Sequence, residues 1–245
     1  MITTAIINRK GGVGKTVTTV NLAYSLTQLG KKVLVVDADS QRDLSKMFRV
    51  PLTARTTICD VLLNSASMKK GIRKTNYDNL HILPGEERLE SLKDIHESAL
   101  LWALSEVEDN YDVCLIDSPP SMQISTVSVL FASDYVLAPM ELDGFSDGGV
   151  LAIDRLLEQC REYNEGIDFM GALITKYRSN KGNNEMVKYM MENPSFPLMD
   201  TVIRFDAKVP HSTRVRKPLM KCASKARATA DYLELAREFL EKAGV

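Results

Sequence analysis

One short segment near the start of the chain constrains the fold more than any other. A predicted first strand, Thr4–Asn8, runs directly into the glycine-rich stretch Arg9–Thr16, and a helix is predicted from Thr16 to Leu29, closed by Gly30. A strand, a glycine turn and a helix N-terminus in this order form a cradle for an anion, because glycine lets backbone N–H groups converge and the helix dipole adds positive potential. The opening residues therefore predict an α/β fold built around a phosphate-binding loop.

The rest of the 245 residues alternates short β-rich runs with longer amphipathic stretches, which is typical of a mostly parallel sheet covered by helices. Some runs, such as Val33–Val36, are apolar from end to end, as expected of strands buried on both faces. No repeat, linker-like tract or sharp boundary divides the sequence. We therefore expect a single α/β domain over residues 1–245, with a twisted, mostly parallel sheet and helices on both of its faces.

The individual elements follow from these patterns. The predicted strands are Thr4–Asn8, Lys32–Asp37, Leu80–Pro84, Asp112–Asp117, Asp134–Pro139, Phe169–Thr175 and, more weakly, Asp200–Ile203. The predicted helices are Thr16–Leu29, Gly148–Glu162 and Ala226–Lys242. For the last helix we expect one apolar stripe, formed by Ala226, Ala230, Leu233, Ala236 and Leu240.

Composition excludes several classes of protein. Hydrophobic residues make up 44% of the chain and charged residues 26%, which excludes a disordered or fibrous protein. The formal net charge is −1, so affinity for nucleic acid would have to come from a local patch. No apolar run approaches the roughly 18 residues of a membrane span, and no export signal is present. We expect a cytoplasmic protein without a membrane partner.

The glycine-rich loop has a specific pattern. In it, Lys15 is placed to reach the β- and γ-phosphates of a nucleotide, and the Thr16 hydroxyl is placed to ligate Mg²⁺. The standard phosphate-loop pattern requires glycine where this chain has Arg9, and the dinucleotide pattern requires glycine where it has Val17. The string Lys10–Thr16 instead resembles the deviant Walker A motif of the ParA/MinD family of ATPases.

This resemblance implies a P-loop NTPase fold with ATP and Mg²⁺ as cofactors. In the family, the first lysine of the motif crosses a dimer interface to the partner's phosphates, so Lys10 is implied to act in trans, in the manner of an arginine finger. Lys10, Lys15 and Asp39 are the implied catalytic residues. The implied nucleotide contacts in the loop are Lys10, Gly11, Gly12, Val13, Gly14, Lys15, Thr16 and Val17.

Carboxylates follow two of the predicted strands. The segment Asp37–Gln41 resembles the family's D-x-D-P-Q segment, with Ser40 in place of proline. The resemblance implies that Asp39 orients or activates the attacking water and that Asp37 is a supporting polar anchor. A simpler alternative is that both carboxylates only cap the end of the strand.

The second carboxylate segment, Ile116–Ser121, resembles the family's I-D-x-P-P-S switch. A carboxylate that ends an apolar strand is the Walker B arrangement, in which it holds Mg²⁺, often through water. Asp117 is therefore assigned to the metal together with Thr16. The two prolines restrict the following turn, which suits a segment that responds to the γ-phosphate.

A basic stretch lies near the C-terminus. Arg204–Arg227 contains eight Lys or Arg against one acid, Asp206, which gives a local excess of seven positive charges. Such a patch binds the phosphate backbone without reading bases, although a solvated basic face is the alternative. The predicted DNA contacts are Lys208, Arg214, Arg216, Lys221, Lys225 and Arg227.

Base recognition departs from the family pattern. Soj-like relatives have Pro-Arg-Asn after the T-V-I string, whereas this chain has Arg204, Phe205 and Asp206. Arg204 and Asp206 are the predicted contacts on the base side, and Lys176–Tyr177 is a second candidate. Specificity for ATP is implied by the family and is not shown by these residues.

The resemblance extends over nearly the whole chain and implies the short ParA form, which lacks an N-terminal helix-turn-helix domain. The implied function is slow ATP hydrolysis by a dimer that binds non-specific double-stranded DNA on the nucleoid. A ParB-like centromere-binding partner would release the dimer, so that a plasmid or chromosomal origin is positioned. The alternative is an ATP-switched scaffold that positions a protein cargo. A MinD-like membrane cycle is disfavoured by Glu234, Glu238 and Glu241 in the last helix.

Overall fold

The computed structural model describes residues 1–93, 95–121, 124–142, 155, 158, 160–192 and 197–245. Within them, seven strands form one sheet in the order β3-β4-β2-β5-β1-β6-β7. All neighbouring pairs are parallel except β3 with β4. The strands are β1 (Ile2–Ile6), β2 (Val33–Asp37), β3 (Arg73–Lys74), β4 (Leu80–Leu83), β5 (Val113–Asp117), β6 (Tyr135–Glu141) and β7 (Asp168–Thr175).

Helices cover both faces of this sheet. In the described residues they are α1 (Lys15–Gln28), α2 (Asp43–Met47), α3 (Ile58–Leu62), α4 (Met68–Gly71), α5 (Ala99–Ser105), α6 (Ile124–Phe131), α7 (Lys181–Met191), α8 (Lys208–Val215), α9 (Leu219–Cys222) and α10 (Arg227–Ala243). Short 3-10 turns lie at Glu87–Ser91 and Glu108–Asn110. The predicted α/β fold with a mostly parallel sheet is confirmed.

Two apolar cores explain why the strands are hydrophobic throughout. Leu34 and Val36 of β2 face one core, whereas Val33 and Val35 face the other, and all four are completely buried. Successive side chains of a strand point to opposite faces, so on a strand covered on both sides every side chain from Val33 to Val36 meets an apolar core. Helices α1 and α10 pack on the second core, with Phe239 among its largest buried side chains.

Most predicted bounds agree with the structure to within two residues, but one strand is wrong. Asp200–Ile203 does not form a strand: it lies beside the end of β7, where the Ile203 N–H donates to the Ile174 carbonyl at 2.8 Å and Tyr177 forms a single bridge with Arg204. Between the bridges at Leu198 and Arg204, the N–H groups of Asp200 and Thr201 donate to the Glu238 carboxylate on the last helix and not to β7, so no continuous ladder forms. The predicted helix over 148–162 lies mostly outside the described residues.

The predicted apolar stripe of the last helix is correct only in part: Ala236 is buried and Leu240 packs against the second core, but other positions differ. Ala230 is exposed, and the buried face instead includes Ala228, Tyr232, Leu235 and Phe239. The prediction follows alanines, whereas the larger aromatic side chains set the orientation because they bury more apolar area. This apolar face is therefore occupied by the core. Among the described residues, no helix combines the length and apolar character that a membrane span requires.

The sheet order places the ends of three strands side by side. Asp37 of β2 and Ile6 of β1 are both register partners of Asp117 at the end of β5. The glycine-rich loop, which follows β1, thus lies next to both aspartates at the carboxyl edge of the sheet. This is the position at which open α/β sheets bind their ligands.

Candidate nucleotide-binding site

The glycine-rich loop connects β1 to α1 through a left-handed backbone. Gly12 has φ +79° and Gly14, which caps α1, has φ +95°. L-residues with a Cβ rarely adopt these angles, so glycine is required at both positions. At the other end, Gly30 (φ +86°) accepts the left-handed position that ends α1, while the Lys31 N–H donates to the Leu26 carbonyl, as predicted.

Two side chains outside the motif fix the loop. The Asn8 amide donates to the Pro139 carbonyl at 2.8 Å, and its carbonyl oxygen accepts from the Lys10 N–H at 2.9 Å. The hydroxyl of Thr175, at the end of β7, lies 2.8 Å from the Val13 carbonyl and 3.0 Å from the Met140 carbonyl. Both anchors are buried, so the loop is held in place before any ligand binds.

Lys15 lies across the interior of the loop. Its ammonium donates to the Asn8 carbonyl at 3.0 Å and to the Lys10 carbonyl at 3.3 Å, and the residue is only 8% exposed. Burial lowers the pKa of this ammonium, and the carboxylates of Asp117 and Asp39 oppose that shift. A cation held here by two carbonyl groups is ready to exchange one of them for a phosphate oxygen.

Thr16 and Asp117, the two predicted Mg²⁺ ligands, lie next to each other. The Thr16 hydroxyl donates to an Asp117 carboxylate oxygen at 2.7 Å, and Asp117 is almost completely buried. Burial and the neighbouring Asp37 raise the pKa of Asp117, and the bond from Thr16 and the charge of Lys15 oppose that shift only in part. A hydroxyl beside a carboxylate is a donor set that fits Mg²⁺ when phosphate oxygens and water complete the octahedron. No group of three or more His, Cys, Asp or Glu in the described chain could hold a metal by itself.

Asp37 and Asp39 occupy different environments. Asp37 is fully buried and accepts from the Ser45 N–H at 2.7 Å, and burial raises its pKa to about 6. Asp39 is half-buried, and its carboxylate accepts from the Gln41 N–H at 2.9 Å. Asp37 thus fits the supporting role. Asp39 retains the exposure that contact with a water requires.

A cavity of about 270 Å³ adjoins the loop on the side away from Asp117. Its lining includes Arg204 and Asp206, the predicted contacts on the base side, and Lys176, the second candidate there. Val17, a predicted contact in the loop, also lines it. The remaining lining residues are Gly12, Gly14, Thr175, Ile203, Phe205, Val209, Pro210, Thr213 and Tyr232. Val13 is absent from this lining because its side chain is buried, so only its backbone could meet a nucleotide.

Arg204 requires a correction. The charge pattern places Arg204 among the free cations of the basic stretch, but its guanidinium pairs with Asp231 at 2.6 Å. Asp231 lies beyond that stretch, on α10, and also accepts from the Arg204 N–H. Arg204 therefore lines the cavity beside the loop, and its ion pair means that it adds no net charge to the patch.

The other basic residues remain on the surface. The Asp206 carboxylate bonds to backbone groups: it accepts from the N–H groups of Lys208 and Arg227 at 2.9 and 3.0 Å. The exposed cations of the stretch are Lys208, Arg214, Arg216, Lys217, Lys221, Lys225 and Arg227. Lys10, in the loop, is also exposed.

Several site residues were missed by sequence reasoning. Asn8 and Thr175 follow strands β1 and β7 at the same edge of the sheet as the loop, and that position was the available signal. Asp231 gave no signal, because a helical acid 27 residues from its arginine cannot be paired with it by pattern.

Comparisons with known proteins agree with this geometry. A family model described as an AAA domain matches residues 1–169. The chromosome partitioning protein ParA of Caulobacter vibrioides is 31% identical over 97% of this chain and 93% of its own length. The cell division ATPase MinD of Pyrococcus furiosus superposes with a TM-score of 0.83 at 25% identity, covering 98% of both chains.

Solved structures of similar fold carry a nucleotide. Cobyrinic acid a,c-diamide synthase of Mycobacterium smegmatis, bound to an ATP analogue and magnesium, has a TM-score of 0.84 at 24% identity and covers all of this chain and 96% of its own. The shared fold, the deviant loop and the similarity along the whole length lead to one conclusion. This chain belongs to the ParA family of P-loop ATPases.

Proposed function

We propose that this protein is a slow, Mg²⁺-dependent ATPase whose ATP-bound dimer binds double-stranded DNA without sequence preference in order to position a plasmid or chromosomal origin. A ParB-like centromere-binding partner releases the cytoplasmic protein from the nucleoid by stimulating hydrolysis. The observation that carries the proposal is that one helix, α8, contributes both to the nucleotide cavity and to the exposed basic surface.

The chemistry follows from the groups at the sheet edge. Lys15 supports the β- and γ-phosphates, and Asp39 orients the attacking water from its half-buried position. Mg²⁺, when bound, neutralises charge on the phosphates, and Thr16 with Asp117 would hold it. Phosphoryl transfer needs positioning and charge stabilisation more than covalent chemistry, so these few groups are sufficient.

Dimerisation would complete the site. Lys10 is exposed on the loop, whereas Lys15 of the same loop is buried. An exposed lysine at this position can reach the phosphates of a facing protomer, where one more cation stabilises the charge that builds up during transfer. ATP would then stabilise the dimer because its phosphates are bound from both sides.

The helix α8 links nucleotide to DNA. Val209, Pro210 and Thr213 line the cavity, while Arg214 lies on the outside of the same helix. A monomer offers about four to six phosphate contacts, which is too few for useful affinity at about 0.15 M salt. A dimer doubles the contacts on one surface, so ATP acts as a switch for DNA binding.

The alternative, an ATP-switched scaffold for a protein cargo, is favoured by the similarity to the cell division ATPase MinD. It predicts ATP-driven dimers that do not bind DNA. Seven exposed cations within the basic stretch are the observation that favours DNA.

A mobility-shift assay on random-sequence duplex, repeated across a salt series, tests the proposal. Arg214→Glu with Arg227→Glu should abolish binding and leave ATP-driven dimerisation intact, because neither guanidinium lines the nucleotide cavity. A matched control is Arg237→Glu with Lys242→Glu, which reverses two charges at the far end of α10. If the control loses as much affinity as the double variant, the effect is one of overall charge and the DNA interface is refuted.

A further inference from the structure

We propose that the DNA-binding surface has a second wall, formed by Lys46 and Arg49 from the segment that follows Asp39. This inference rests on the proposed function, and it assigns to DNA two residues that lie more than 150 positions before the predicted basic stretch. Together the two walls enclose a basic groove of about 910 Å³.

The basic groove has a uniform charge. Ten residues line it, all within the described part of the chain, and six of these are cations while none is an acid. The cations come from both walls: Arg42, Lys46 and Arg49 on one side, and Arg214, Arg216 and Lys217 on the other. Lys46 also pairs with Asp43 at 2.9 Å, but both side chains are at least half exposed, so solvent screens that pair.

The two walls are joined by direct contacts. The guanidinium of Arg49 donates to the Val215 carbonyl at 3.2 Å, which ties the first wall to the end of α8. Beneath it, Arg42 is only 4% exposed and donates to the Gly85 carbonyl at 2.9 Å. The cations therefore stand on a braced framework, and a ligand would not have to order them.

Three arginines of the groove adopt a left-handed backbone conformation. Arg42, Arg49 and Arg216 have φ values of 57°, 58° and 54°, and they are three of the six non-glycine residues with positive φ in the described chain. Glycine or asparagine adopts this conformation at lower cost. Arg49 and Arg216 stand at the C-terminal ends of α2 and α8, where a left-handed residue commonly ends a helix, so the two helix ends place one arginine on each wall of the groove.

The groove is also connected to the catalytic segment. The Arg42 N–H donates to the Asp39 carbonyl at 3.0 Å, and Ser45 of the next helix turn donates to Asp37. A phosphate backbone in the groove would therefore contact the same short segment that carries the water-orienting carboxylate. The fitting ligand is a polyanion with repeated phosphates, because a row of fixed cations matches several phosphates and reads no bases.

The test compares salt dependence. Random-sequence duplex is titrated with three ATP-bound proteins: wild type, the groove variant Lys46→Gln/Arg49→Asn and the control Arg161→Gln/Lys188→Gln. The control removes two exposed cations elsewhere, and Lys188, like Lys46, is in an ion pair. Asparagine is chosen at position 49 because it tolerates the left-handed backbone. Each phosphate that is no longer neutralised lowers the slope of log affinity against log salt by about 0.9.

The expected result is a slope lower by about 1.8 to 3.6 in the groove variant, because one or two phosphates per protomer are no longer neutralised, and an unchanged slope in the control. Arg49→Lys should keep most of the wild-type slope, because it keeps the charge. An unchanged slope in the groove variant, or an equal decrease in the control, overturns the second wall. If wild type does not bind duplex with ATP at all, the proposed function fails first, and with it this inference.

A folding defect is separated from a binding defect by two measurements. The groove variant should form ATP-driven dimers and unfold within a few degrees of wild type, since Lys46 and Arg49 are exposed and lose only the pair with Asp43 and the bond to Val215. A loss of dimerisation together with DNA binding would also overturn the inference, because the segment would then act through the nucleotide site.

Discussion

We expect the Thr175 hydroxyl, at the end of β7, to contribute to the affinity for ATP because it holds the glycine-rich loop in place. The residue is 4% exposed, and its hydroxyl lies within 3.0 Å of two carbonyls, one of them in the glycine-rich loop. Thr175→Val preserves shape and leaves these buried acceptors without that donor, at a cost of about 1–3 kcal/mol. If this cost falls on the loop, the affinity for ATP should decrease by about 5- to 150-fold, since 1.4 kcal/mol is tenfold.

The assay combines calorimetric titration with Mg·ATP and urea unfolding of the ligand-free protein. Thr27→Val is the matched control: its buried hydroxyl also donates to a carbonyl, that of Tyr24 at 2.7 Å, but at the far end of α1. The control should bind ATP normally. A Thr175→Val variant that is less stable to urea yet binds ATP with wild-type affinity would refute the reasoning, because the contact would then be purely structural.

Three further outcomes are expected. Asp39→Ala should bind ATP and lose turnover in a phosphate-release assay, and turnover at the wild-type rate would exclude Asp39 as the residue that orients the water. Lys15→Ala should instead lose nucleotide binding in the calorimetric titration. In light scattering, ATP should convert Asp39→Ala to a dimer and adding Lys10→Ala should restore the monomer, whereas a monomer throughout contradicts the trans role. Burial raises the pKa of Asp37 from 3.8 to about 6, so the folded wild type binds more protons than the unfolded chain between these values, and its free energy of unfolding falls as pH rises through them. In urea unfolding, the stability of wild type relative to Asp37→Asn should therefore decrease by up to about 3 kcal/mol between pH 4 and 7, and a constant difference would contradict this.

The features predicted correctly from sequence are those with a local physical signature. Gly12 and Gly14 occupy left-handed positions that glycine adopts easily, and the short apolar runs ending in Asp37 and Asp117 are typical of strands covered on both faces. Sheet order then brings these ends together.

The features that were missed depend on contacts between distant segments. The sequence alone suggests a surface cation at Arg204, because its partner, Asp231, lies 27 positions away on α10. The face of α10 is misassigned in part by pattern because Tyr232 and Phe239 outweigh the alanines of the predicted stripe. The basic groove joins positions 42–49 to 214–217, and no pattern in either segment indicates the other.

The most direct test measures duplex binding by Asp39→Ala, which is expected to hold ATP without turnover. Fluorescence anisotropy with random-sequence duplex at about 0.15 M salt would be recorded with Mg·ATP, with Mg·ADP and without nucleotide. The account predicts affinity at least tenfold higher with ATP than in the other two states, because the dimer doubles the phosphate contacts on one surface. Equal affinity with ATP and ADP would contradict the claim that nucleotide state controls DNA binding.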